Sequence, residues 1–259
     1  MNDGRVTLSY QQFTRESIET VQSNIAVEAP VSLTVNGQVW LTFQCTPEEL
    51  DALAIGFLFN EGFIQTMGEV ENIHICENKD NVDVWLSHSV QKPASWRRTS
   101  GCHGGTSSAD LERDHFEPVS NPVRLDPDQI FSLMDLFLSE QIPHSESGGV
   151  HTSALADGTK QLFQIHDIGR HNTFDKISGR ILLNKVEVET PILLTSGRIS
   201  SDMVQKSVRM GAPFLISMRS ASQMGISLAE QWGLTLISGA RRGRFNLLCH
   251  PERILMPEK

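Results

Sequence analysis

From residue 161 onward the chain alternates short apolar runs, loops that contain arginine, and amphipathic stretches, and this alternation limits the folds open to it. Residues 161–166 lead into Asp167-Ile168-Gly169-Arg170-His171-Asn172 and a helical pattern through Phe174, Ile177 and Ile181. Residues 191–195 lead into Ser196-Gly197-Arg198 and a helix capped near Ser200 or Ser201 and ended by Gly211. Residues 213–217 lead into Met218-Arg219-Ser220 and a helix ended by Gly233. Residues 234–238 lead into a loop, Gly239-Ala240-Arg241-Arg242-Gly243-Arg244, and a last strand at 245–249. Strands that alternate with helices join by right-handed crossovers, which predicts a largely parallel sheet.

In such a sheet, ligands bind beyond the carboxyl ends of the strands. Each of the four loops leaves such an end and carries an arginine: Arg170, Arg198, Arg219, and the trio Arg241, Arg242 and Arg244. Gly169, Gly197, Gly239 and Gly243 let a ligand approach the backbone, and helix starts add positive dipole ends. One such arginine would ordinarily pair with a surface carboxylate. Four along one edge favour an anion-binding rim.

The N-terminal part reads as strands and one helix. Residues 31–45 alternate around Asn36-Gly37, the favoured pair of a two-residue hairpin. Thr46-Pro47-Glu48-Glu49 has the form of a capping box opening a helix through Leu50, Leu53, Ala54 and Phe57 that stops near Gly62. Residues 73–76 and 82–86 form a second strand pair around Lys79-Asp80-Asn81. A polar stretch bearing Pro118, Pro122 and Pro127 reads as a linker. The division is therefore a smaller N-terminal α/β domain, 1–115, and a second domain, 116–259. The second domain opens with an amphipathic helix at 126–141 carrying Ile130, Leu133, Met134 and Phe137. A hairpin through Ala156-Asp157-Gly158-Thr159 follows.

With 259 residues and a net charge of −9, the chain lacks the broad basic surface that nucleic acid or an anionic membrane requires. The longest apolar run, 53–59, is far short of a membrane span. The N-terminal residues have no apolar segment of the signal-peptide kind. Four scattered cysteines, Cys45, Cys76, Cys102 and Cys249, form no CxxC pair. That pattern suits a reduced cytoplasmic protein.

Cys45, Cys76 and Cys249 end or occupy apolar strands and read as core thiols. Cys102 differs, because RRTSGCHGGTSS (97–108) has no apolar neighbours to bury it. Either the loop is flexible and the thiol incidental, or the thiol is presented for chemistry. His103, Arg97, Arg98 and the glycine-rich backbone supply the positive charge and N–H donors that lower a thiol pKa. His144, His151, His166 and His171 fall close together, but no zinc template fits their spacing, so no metal site is expected. His151, at a strand entry, is either a half-buried histidine or a proton donor near the rim.

The succession LAIGFLFNEGFI (53–64), TSGCHGG (99–105), GGVHTSALAD (148–157), DIGRHNTFDKISG (167–179), LLTSGRISSDMVQKSVRMGAPFLISMRSA (193–221) and HPERI (250–254) resembles the formate dehydrogenase accessory sulfurtransferases, the FdhD/NarQ family. The resemblance implies a cytidine-deaminase-like mixed sheet in the C-terminal domain beside a roll-like N-terminal α/β domain. It implies a homodimer that takes persulfide sulfur from a cysteine desulfurase and passes it to the molybdenum of bis(molybdopterin guanine dinucleotide), for formate dehydrogenase. Cys102 matches the persulfide carrier, and 239–244 the cofactor-binding stretch.

Three positions depart from the family pattern. Gly105 stands where many members have a second loop cysteine, His166 where an acidic residue is common, and Ser222 where a proline is common. Two alternatives remain at this point: a cofactor chaperone that moves no sulfur, and a zinc-dependent nucleotide deaminase.

Overall fold

In the computed structural model, residues 4–94, 96–98, 106–108, 117–140, 149–241 and 243–255 are described. Near the amino end a ribbon of β1 (Arg5–Phe13) and β2 (Ile18–Ala26) stands apart from a four-stranded sheet. That sheet begins with β3 (Ala29–Val35) and β4 (Gln38–Cys45), joined at Asn36 and Gly37. The φ angles there, 48° and 77°, are the left-handed pair that such a turn demands. After α1 (Leu50–Asn60) come β5 (Val70–Ile75) and β6 (Asn81–Leu86). The β6 strand pairs in parallel with β3, giving the order β4-β3-β6-β5. Short strands β7 (Trp96–Arg98) and β8 (Thr106–Ser108) close a further ladder.

The second half is three-layered. Its sheet contains β9 (His151–Asp157), β10 (Lys160–Asp167), β11 (Pro191–Thr195), β12 (Phe214–Ser217), β13 (Thr235–Arg241) and β14 (Arg244–Leu247), ordered β10-β9-β11-β12-β13-β14. Helix α2 (Pro127–Ser139) covers one face, where Ile130, Leu133 and Phe137 meet Ile192, Leu194, Ile216 and Ile237. Helices α3 (Arg170–Asn184), α4 (Ser201–Arg209) and α5 (Gln223–Gln231) cover the other, where Phe174, Ile177, Met203 and Ala229 meet Leu193, Leu215 and Leu236. Alternate residues of the same strands thus feed both cores.

Three local expectations are corrected. Thr46 is not a helix cap; α1 begins at Leu50 behind Glu49, which sits at φ 47° with no side-chain cap. The Thr46 peptide and hydroxyl are instead bonded to the second half, as described below. The proline-bearing stretch around 118–127 is not a free linker. Arg253 reaches along it, its Nε donating to the Asn121 carbonyl at 3.2 Å and its second terminal nitrogen to the Val119 carbonyl at 2.9 Å. The 115/116 boundary itself lies outside the described residues. Cys76 is not a core thiol; it is half-buried beyond β5, and its Sγ donates to Asp80 Oδ1 at 2.8 Å.

The two halves meet where α1 crosses α3. Burial of α1 on almost every side follows, since one face packs on its own sheet and another on α3. The crossing is closed by glycine. A Cβ on Gly179 would lie 1.9 Å from the Ala52 carbonyl oxygen, so the helices touch backbone to backbone.

Candidate functional site

β9 is antiparallel to both β10 and β11, and β11, β12 and β13 are mutually parallel. The strands β10 to β13, with β9 reversed among them, therefore end along one edge, as the alternation requires. His151, which opens β9, pairs with Asp167 at that edge. Arg244, which opens β14, pairs with Arg241.

Main-chain bonds lace these ends together. Ser196 donates its N–H to the Thr152 carbonyl at 2.8 Å, Met218 to that of Thr195 at 3.1 Å, and Gly239 to that of Arg219 at 3.1 Å. Ser217 Oγ donates to the Gly197 carbonyl at 2.6 Å. Arg170 packs its stem against Gly197, where a Cβ would come 3.2 Å from the Arg170 Cβ. The result is a continuous strip rather than separate loops.

Two readings of the rim change. Arg170 is not a loop residue facing solvent; it is 5% exposed and begins α3. Gly239, Ala240 and Arg241 are not in a loop either, because β13 runs through them with an irregular register between Ser238 and Arg241. Gly239 takes φ 62° there, which favours glycine, and Ala240 is buried. Gly243, at φ 70°, turns the chain into β14. Arg198, Arg219, Arg241 and Arg244 are exposed on this edge, and no described carboxylate is in salt-bridge reach of any of them. His151 is half-buried.

Beneath the rim lies a polar cluster that periodicity did not reveal. Asp167, fully buried, accepts from the Gly169 N–H at 2.8 Å, the Thr46 N–H at 3.2 Å, Asn172 Nδ2 at 2.8 Å and Lys176 Nζ at 2.6 Å. Lys176 also donates to the Thr46 carbonyl at 3.0 Å, and Asn172 to the Gln44 carbonyl at 2.9 Å. Beside Lys176 on α3, Asp175 meets Lys206 of α4, whose Nζ lies 2.6 Å from both carboxylate oxygens, and Asp175 accepts from Asn60 Nδ2 as well. Burial pushes the Asp175 carboxyl upward, against the pull of Lys206. The available signal was the spacing of Asn172 and Lys176, four apart on one helical face.

His171 sits 3.4 Å from Ser200 Oγ and 3.7 Å from Asp202 Oδ2. Burial first, then the charges of Lys206 and Arg170, hold its pKa well below 6.5. The ring is therefore neutral at pH 7, and its approach to Asp202 is a polar contact rather than an ion pair. Where the family pattern commonly has proline, Ser222 caps α5 by accepting from the Gly225 N–H at 3.1 Å. At the other departure, His166 Nδ1 lies 2.9 Å from Thr152 Oγ1. The HPERI motif is structural at its histidine too: His250 Nε2 lies 3.1 Å from the Glu230 carbonyl at the end of α5.

Cys102, His103, Gly105, Arg242 and His144 lie outside the described residues. The nearest described residues in sequence are those of β7 and β8, which pair Trp96 with Ser108, Arg97 with Ser107 and Arg98 with Thr106. Burial raises the Cys45 thiol to about 12 and the Cys249 thiol to about 11, so neither is a thiolate at neutral pH. Among the described residues no group of three His, Cys, Asp or Glu side chains converges to hold a metal ion. Among them, too, no helix is long and apolar enough to cross a membrane.

A model of the FdhD/NarQ family matches residues 26–255. The chain is 33% identical over 248 residues to the sulfur carrier protein FdhD of Bacillus subtilis, covering 94% of this chain and 95% of that one. It is 30% identical over 267 residues to the sulfur carrier protein FdhD of Halalkalibacterium halodurans, covering 100% and 98%. The solved structure of a formate dehydrogenase accessory protein from Desulfotalea psychrophila superposes with a TM-score of 0.83 at 26% identity, over 97% of this chain and 100% of that one.

Proposed function

This chain belongs to the FdhD/NarQ family, and from that premise we propose that it is a sulfur carrier serving formate dehydrogenase, with Cys102 as the carrier. In this reading Cys102 thiolate attacks the outer sulfur of a cysteine desulfurase persulfide. A new S–S bond forms on Cys102 while the desulfurase cysteine leaves as thiolate. The substrate that receives the sulfur is bis(molybdopterin guanine dinucleotide), held at the rim through its pyrophosphate before the cofactor passes to formate dehydrogenase. On delivery the S–S bond breaks, Cys102 returns as thiolate, and the outer sulfur atom passes to the acceptor, which supplies the two electrons that make it sulfide. The setting is the cytoplasm, where cysteines remain reduced.

The observation that carries this reading is the row of Arg198, Arg219, Arg241 and Arg244 on one edge, exposed and without described carboxylate partners. On a chain of net charge −9, such a row suits a phosphate-rich ligand. In this reading Gly239, Ala240, Arg241, Gly243 and Arg244 form its far end, with Arg170 and His151 behind and beside it. The states of Cys45 and Cys249 argue against either as a second relay thiol, since a buried protonated thiol cannot take over a persulfide.

The test is mass spectrometry of the intact protein after incubation with a desulfurase and cysteine. One added sulfur atom is expected, located on Cys102 and absent from Cys102→Ala. Cells carrying only Cys102→Ala should have no active formate dehydrogenase. Activity in those cells would replace the carrier with a chaperone that binds the cofactor without moving sulfur.

A further inference from the structure

The face of the sheet that packs on α3, α4 and α5 changes character as it nears the rim. Leu193 pairs with Leu155 on one side and with Leu215 on the other, and this row belongs to the apolar core. Two residues nearer the rim, on the same face, Thr195 pairs with Ser153 and with Ser217. All three of these hydroxyl residues are fully buried. Apolar residues of the same size would fill the space without desolvating a hydroxyl, which is tolerated inside a protein only where it is bonded.

The bonds run upward into the arginine loops. Thr195 Oγ1 accepts from the Gly197 N–H, two residues on, at 3.1 Å. In the same pattern Ser217 Oγ accepts from the Arg219 N–H at 2.9 Å. Ser217 also reaches the neighbouring loop, donating to the Gly197 carbonyl at 2.6 Å. That carbonyl belongs to the peptide leading into Arg198. One buried side chain thus holds the main chain at Arg198 and at Arg219 together.

Beyond the two arginines the loops are tied again. The Ile199 N–H donates to the Ser220 carbonyl at 3.0 Å, and the Ser222 N–H to the Ile199 carbonyl at 2.9 Å. Each arginine therefore sits between two clamps, Ser217 on the strand side and the Ile199 bridge on the helix side. Their backbones are fixed relative to each other while both side chains are exposed.

We propose that Ser217 is a positioning residue of the rim, fixing the spacing of Arg198 and Arg219 so that the two clasp the adjacent phosphates of one diphosphate group. The proposal rests on the reading of the rim as a phosphate-binding edge and adds which phosphate esters it selects. Two guanidinium groups on independent loops would have to be ordered when the ligand arrives. On a shared, fixed base that ordering is complete beforehand, and a diphosphate meets both at once. A monophosphate engages one arginine and gains nothing from their spacing.

Isothermal titration calorimetry with GDP and GMP tests this. GDP carries the guanosine and the pyrophosphate of the proposed substrate, and GMP has one phosphate fewer. The wild type should bind GDP the more tightly. Ser217→Ala should weaken GDP binding by about tenfold, the loss of one charge-assisted contact, and GMP binding by less than about twofold. The Thr195 bond and the Ile199 bridge remain in this variant, so it should fold, and far-UV circular dichroism verifies that. If it does not fold, Ser217→Cys, which keeps the volume and weakens both bonds, should show the same selective loss. A wild type that binds neither nucleotide overturns the phosphate-binding reading of the rim, and this proposal with it. A wild type that binds GDP no better than GMP overturns the proposal alone. So does a folded variant whose GDP and GMP affinities fall together or stay unchanged.

Discussion

Gly56 on α1 meets the backbone of Asp175 on α3 so closely that a Cβ would stand 1.6 Å from the Asp175 carbonyl oxygen. Backbone cannot swing aside as a flexible side chain can, so any larger residue must part the helices. Gly56→Ala is therefore expected to destabilise the protein by about 3 kcal/mol or more, at the upper end of overpacking effects. Gly179→Ala, against the Ala52 carbonyl, should cost a similar amount. Urea unfolding monitored by far-UV circular dichroism checks both. Midpoints within error of the wild type would mean that the helices do not meet as described.

Lys176 of the same helix pairs with buried Asp167 at the end of β10, and the two charges grip the carbonyl and the N–H of Thr46. Removing one partner strands the other charge inside the protein. Asp167→Asn and Lys176→Met should each cost about 3–5 kcal/mol, and the double variant less than the sum of the two. Denaturant unfolding of the four proteins closes the cycle. Strict additivity would mean that the two groups do not interact.

That pair also explains why some of the fold was legible in the sequence and some was not. Asn36-Gly37 and the strand–loop–helix alternation act through neighbouring residues, and the hairpin and the common rim follow from them. Thr46 has the local pattern of a helix cap, but Asp167, 121 residues away, takes its N–H, and no local pattern reports so distant a partner. Gly239 signals loop and strand irregularity alike, because both need its positive φ, which is why β13 extends further than periodicity suggests. Arg170 reads as a rim ligand from its place after a strand, and only the packing against Gly197 shows that it is buried.

His171 should make stability depend on pH. Its folded pKa lies well below 6.5 because burial, Lys206, Arg170 and His151 all disfavour the charged ring. Below pH 6.5 the unfolded chain binds a proton that the folded chain refuses, so stability is lost as pH falls from about 7.5 towards 5.5. The loss approaches about 1.4 kcal/mol per pH unit below 6.5 for this one group. Asp175, raised from 3.8 by burial, works in the opposite direction, stabilising at low pH and losing that contribution as pH rises. His171→Gln should flatten the slope between pH 7.5 and 5.5. Unfolding free energies across that range measure it, and an unchanged slope would assign the effect to other groups.

Thiol chemistry should separate the described cysteines sharply. Cys45 and Cys249 are buried, with pKa values pushed up to about 12 and about 11, whereas the half-buried Cys76 stands beside Asp80 at a turn. Only a thiolate attacks an alkylating reagent or a persulfide at a useful rate. In native protein at pH 8, iodoacetamide should leave Cys45 and Cys249 unmodified and modify both once urea unfolds the chain. Peptide mass spectrometry after desulfurase treatment should likewise find no added sulfur on either. Sulfur on Cys45 or Cys249 in the folded protein would reopen a two-thiol relay through that residue.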